Sequence, residues 1–237
     1  LVGSEMCIRD RNFNMMIMVI YALITIAIFG MWYYARYEGN FLPSPKKTFN
    51  PMMLVAIVIL VPGTQFAANF IANLTGYIRP DWLQQYNELF ETSGITDTTF
   101  VTVLYSVILA PICEELIFRG VTMRCARKAL PFALANLMQA ALFGLFHLNW
   151  IQGIYAFALG IVLGYVCECG GSIYYSMWLH LLFNLWGTLS GFFPDPGNSV
   201  VICVIVIAVT IVSLVVGFVL FLSLIHISEP TRPISIS

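Results

Sequence analysis

Charge is what this chain has least of. Asp, Glu, Lys and Arg make up 10% of its 237 residues, against roughly 25% in an ordinary soluble domain. The net charge of −1 excludes the basic excess that nucleic-acid binding requires, so no nucleic-acid partner is expected. Histidine is rarer still, with three residues, and cysteine contributes six. Cys7, Cys113, Cys125, Cys167, Cys169 and Cys203 form no CxxC pair and no metal-type spacing. Small buried hydrophobes are their expected role. Internal repeats, low-complexity tracts and a separate soluble domain are absent too, which leaves one polytopic unit.

What fills the chain instead is apolar surface, at 59% of residues. Crossing the hydrocarbon core takes about 20 apolar residues, and seven runs approach that length. They cover 13–34, 52–73, 100–119 with a helical extension to about 128, 132–148, 151–168, 172–192 and 200–222. Pro51, Pro131 and Gly170-Gly171 fall at boundaries, where breakers belong. Pro62-Gly63 interrupts the second run and predicts a kink there. The expected fold is all-α, a polytopic transmembrane helix bundle of about seven spans. Such a chain is an integral multi-pass membrane protein with lipid as its constant partner, and a bacterial plasma membrane is the expected site.

Basic residues give the orientation. Arg36, Lys46 and Lys47 follow the first run, and Arg124, Arg127 and Lys128 follow the third. Both loops read as cytoplasmic. The loop at 74–99 carries Asp81, Glu88, Glu91 and Asp97 against Arg79. It reads as the outer side, with an amphipathic interfacial segment around 82–90.

The two chain ends share a peculiarity. Residues 1–11 back-translate to a DNA string whose reverse complement encodes LSLIHISEPT, which is residues 222–231, and opens the codon of Arg232. The pair resembles a translated sequencing-library adapter attached to both ends of a fragment. Residues 1–11 and 222–237 are therefore read as non-native, and 12–221 as the native domain with its core at 100–189. Cys7 and His226 lose any functional claim on that reading.

Three polar clusters interrupt the apolar runs: Glu114-Glu115 with Arg119, then Phe143 with His147, then His180 with Asn184. Ionisable groups at bilayer depth cost at least a few kcal/mol and default to a functional hypothesis. Along their helices, Glu114 lies roughly 21 Å from Lys128 and His147 roughly 24 Å from Pro131. His180 and Asn184 lie roughly 12 and 18 Å from Ser172, so one layer near the membrane centre can hold all four. Spacing of i,i+4 places Glu115 with Arg119, Phe143 with His147, and His180 with Asn184 on shared faces. Glu115 and Arg119 suit an ion pair in which both charges survive desolvation. Glu114 is then unpaired within its helix and suited to proton transfer beside His147. His180 and Asn184 either bridge helices or supply the two donors of an oxyanion hole. Phe118, Phe143, Phe146 and Phe183 read as packing around the site.

Taken together, EELIFRG, FxxxH and HxxxN resemble the three-motif signature of the CPBP family. This family comprises type II CAAX prenyl proteases and bacteriocin-processing or self-immunity proteins, also called the Abi family. The resemblance covers about residues 100–189 and fills every motif position. It implies an intramembrane endopeptidase acting on a membrane-associated or prenylated protein or peptide. On this resemblance Glu114 and His147 position and activate a water, and Glu114 returns a proton to the leaving amine. His180 and Asn184 then stabilise the oxyanion, while Glu115 and Arg119 organise the site. Glu114, His147 and His180 could instead ligate zinc, but no HExxH is present and a metal-free, cofactor-free water is preferred. Two other classes remain open: a proton-coupled transporter using the same polar groups, and a catalytically silent immunity or scaffold protein.

Overall fold

The computed structural model describes residues 2–37, 50–93, 99–190 and 199–228. Among the described residues every regular element is a helix. The helices are α1 (Val2–Tyr37), α2 (Pro51–Ile78), α3 (Pro80–Ser93), α4 (Phe100–Ala126), α5 (Phe132–Phe146), α6 (Trp150–Gly170), α7 (Ile173–Ser190) and α8 (Val200–Ser228). Five of them contain stretches long and apolar enough to cross a membrane: Phe13–Ala35, Pro51–Ile78, Phe100–Ala126, Trp150–Gly170 and Val200–Leu224. The other two expected spans form the shorter α5 and α7, of 15 and 18 residues. At 1.5 Å per residue α5 rises only about 22 Å, less than the roughly 30 Å hydrocarbon core.

Local chemistry sets the ends. Asn50 caps α2 by accepting from Met52 N at 3.0 Å, with Pro51 at the first helical position. Asn149 caps α6 by accepting from Gln152 N at 3.1 Å. Gly171 closes α6 in the left-handed region at φ 68°, where a side chain would be strained. The acidic loop forms α3, which docks on the start of α6 through stacked Trp82 and Trp150 rings 5.4 Å apart. Arg79 lies over the Trp82 ring at 4.2 Å.

In the bundle, α4 contacts α1, α5 and α7, while α6 contacts α2, α5 and α7. The main core joins Ile57 and Leu60 of α2, Phe118 of α4, Phe143 of α5, Leu163 of α6, Leu179 of α7 and Phe221 of α8. Helices α5 and α6 cross at Gly144 and Gly153, where a Cβ on Gly144 would sit 2.5 Å from the Gly153 carbonyl. Small residues at such a crossing are how membrane helices gain close packing. Near Pro62, Ser213 of α8 inserts its hydroxyl into the α2 ladder. It accepts from Gly63 N at 2.9 Å and donates to Ile59 O. Position 222 is not marked by a break in α8, and Leu224 packs on the main core. The side chains of 1–12 and 225–237, including Cys7 and His226, lie outside the described ones.

Candidate active site

The site is built on an irregular helix. α4 passes through two π-helical stretches, Leu104–Leu109 and Leu116–Met123, in which carbonyls accept from the fifth residue onward. Ala110 N donates in this way to Tyr105 O. The next carbonyl, that of Ser106, would need the N–H of residue 111, but Pro111 has none. Asn184 of α7 supplies the missing donor, its Nδ2 reaching Ser106 O at 2.8 Å. One of the two amide protons of Asn184 is thus committed to the α4 backbone.

One helical turn away lies the ionic cluster. Arg119 Nη1 donates to Glu115 Oε1 at 2.8 Å, and both side chains have zero exposure. Arg119 Nη2 donates to Gly160 O on α6 at 3.1 Å, and its guanidinium covers the Phe143 ring at 4.6 Å. Two charges this deep are tolerable only when paired and hydrogen-bonded. Glu115 Oε1 also accepts from His180 Nδ1 at 2.9 Å. A carboxylate paired with a guanidinium only accepts, so the bond fixes the Nδ1 proton and turns Nε2 outward. His180 Nε2 faces Glu114 Oε2 at 3.6 Å, a charge contact too long for a hydrogen bond. Glu114 retains 15% side-chain exposure. Two adjacent carboxylates therefore have different settings, one sealed and bonded, the other partly open.

His147 occupies the C-cap of α5. Its Nδ1 lies 2.9 Å from Phe143 O, and since a carbonyl only accepts, Nδ1 donates and Nε2 keeps its lone pair. Leu148, next in sequence, adopts φ 53°. Among the described residues no hydrogen bond or ion pair joins His147 to Glu114. Phe143 packs between the two histidines, with ring centroids 5.0 Å from His147 and 5.8 Å from His180. Phe118 stacks edge-on against Phe143 and Phe146 at 5.1 and 5.6 Å. Phe118, Phe143 and Phe183 are buried packing residues, whereas Phe146 is 43% exposed.

Motif reading alone missed a second polar layer. Gln139 Nε2 donates to Gly160 O at 2.8 Å and to Asn136 Oδ1 at 2.7 Å, and Asn136 Nδ2 donates to Ile161 O at 3.0 Å. Two amides within a short apolar helix were the available signal.

A zinc ion would need three or four ligands about 2.0–2.3 Å from one point. Among the described residues no group of three His, Cys, Asp or Glu side chains is placed to hold one. Glu114, His147 and His180 in this arrangement do not fit a metal, because both Nδ1 atoms are bonded within the protein and His147 stands apart from the acids.

Residues 96–186, which carry all three motifs, match the family model described as type II CAAX prenyl endopeptidase Rce1-like. No curated protein and no solved structure matches the chain.

Proposed function

With its motif-bearing segment 96–186 belonging to the Rce1-like family of type II CAAX prenyl endopeptidases, we propose that this membrane protein is an endopeptidase that activates water with Glu114 and His147. The observation that carries the reading is the division between its neighbouring carboxylates. Glu115 is sealed and bonded to Arg119 and His180, while Glu114 stays open enough to meet a water. The water gives a proton to the Glu114 carboxylate, oriented by the lone pair of His147 Nε2, and its oxygen attacks the scissile carbonyl carbon. Negative charge forms on the carbonyl oxygen, where His180 Nε2 and the second amide proton of Asn184 are the donors. When the C–N bond breaks, the proton held by Glu114 passes to the leaving amine. Glu115 and Arg119 act through His180, by fixing which nitrogen faces the reaction.

The family points to a prenylated, membrane-associated protein or peptide as substrate. Its isoprenoid would lie in the bilayer and bring the scissile bond to the depth of Glu114. The test is release of the C-terminal peptide from a farnesylated CAAX peptide by purified protein in lipid nanodiscs. Glu114→Gln and His147→Ala should each lose about 10²–10⁴-fold in rate, the usual contribution of a positioned acid or base, while inserting and melting close to wild type. Near-normal turnover in either variant would remove that residue from the mechanism.

A further inference from the structure

Gln139 has no part in the motif set, yet it is fully buried at the level of the ionic cluster. Its Nε2 meets the Gly160 carbonyl that Arg119 Nη2 also occupies, at 2.8 and 3.1 Å. Through that shared acceptor an unbroken series of contacts runs from α5 to the site. Gln139 holds Gly160, Gly160 holds Arg119, Arg119 holds Glu115, and Glu115 holds His180. The local backbone is shaped for it: a Cβ on Gly164 would collide with Asn136 Oδ1 and lie 2.7 Å from Gln139 Nε2. A glycine there lets both amides reach the α6 main chain. Gln139, Phe143 and His147 also follow one another at four-residue steps along α5, a single helix face. Fixing Gln139 on α6 therefore fixes the height of His147.

We infer that Gln139 is a positioning residue, anchoring Arg119 through the Gly160 carbonyl and setting the register of His147 against Glu114. The inference rests on the proposed endopeptidase reading. A residue that only glued α5 to α6 would change melting without changing the rate per folded molecule. A positioning residue changes kcat.

Gln139→Met keeps the volume and removes both donated bonds, while Gln139→His returns an N–H at nearly the same reach. With the farnesylated CAAX peptide as probe, Gln139→Met should lower kcat about tenfold and leave KM within about twofold, the scale of one buried hydrogen bond. Gln139→His should recover most of that loss. Unchanged kcat in folded Gln139→Met, or a histidine variant no better than methionine, would overturn the inference. If Gln139→Met does not fold, Asn136→Ala takes its place, since it removes only the amide that steers Gln139. A smaller fall in kcat at constant KM is expected there, and unchanged kcat overturns the proposal. Glu114→Gln is assayed in parallel. Full turnover in that variant defeats the endopeptidase mechanism itself, a result separate from any seen at Gln139.

Discussion

Replacing Arg119 by methionine leaves Glu115 as a carboxylate of zero exposure without its cation. Breaking a buried pair from one side typically costs about 3–5 kcal/mol. Two contacts place the cost near the lower end. His180 Nδ1 still donates to Glu115 Oε1 at 2.9 Å, and the Gly160 carbonyl keeps its bond from Gln139 at 2.8 Å. A loss of about 3 kcal/mol is therefore expected for Arg119→Met. The double variant Glu115→Leu, Arg119→Met removes the stranded charge along with the cation. What remains is the His180 Nδ1 proton without an acceptor, worth about 1–3 kcal/mol. The double variant should therefore be more stable than the single one by about 1–2 kcal/mol, and still inactive. Equilibrium unfolding in detergent micelles, followed by tryptophan emission, measures both. Equal midpoints for the single and double variants would show that Glu115 is not held as a charge by Arg119.

Asn184→Ala should act twice. Loss of an oxyanion donor lowers kcat by about 10²–10³-fold with little change in KM, and the orphaned Ser106 carbonyl lowers stability by about 1–3 kcal/mol. A variant that melts earlier but keeps its kcat would leave Asn184 as a helix tie alone. At the chain's exposed rim, hydrogen bonding to Arg79 holds the Asp81 carboxyl below its ordinary range. The stabilisation this gives α3 is present above the ordinary carboxylate range and is lost as pH falls through the lowered value. Acid should accordingly release Arg79 from Trp82 and change Trp82 emission, with Asp81→Asn already in the released state at neutral pH. Identical acid titrations of wild type and Asp81→Asn would refute that link.

Much of the layout could be read from residue order, because apolar run length and breakers act locally. All seven runs became helices, and the acidic loop became α3. Glu115 and Arg119 meet as i,i+4 spacing suggests, since both lie at the junction of α-helical and π-helical winding on one face. Three features were out of reach because they depend on other helices. Asn184 bonds to Ser106 only because Pro111 withholds a proton 73 residues earlier in the sequence. His147 turned its Nδ1 onto its own backbone, at the end of a helix that stops at Phe146. Gln139 gains its meaning from a carbonyl it shares with a residue of α4. The span count also changed, because α5 ended after 15 residues once His147 and Leu148 formed a turn.

The π-helical winding of α4 makes the site sensitive to residue counting in a way that ordinary substitutions do not reveal. Each π turn holds an extra residue compared with an α turn. Deleting one residue from Leu104–Leu109 would let the ladder close as a regular α-helix. Everything after the deletion would then rotate by about 100° relative to what precedes it. Glu114 and Arg119 could face α7 and α6 only if the first half of α4 turned away from α1 and Asn184. Insertions and deletions should therefore be far more damaging in this stretch than in α8, where a shift of one residue mainly moves one apolar side chain to the place of another. For the same reason, chains are best compared with this one by aligning the Ser106–Pro111 interval first and the glutamates second.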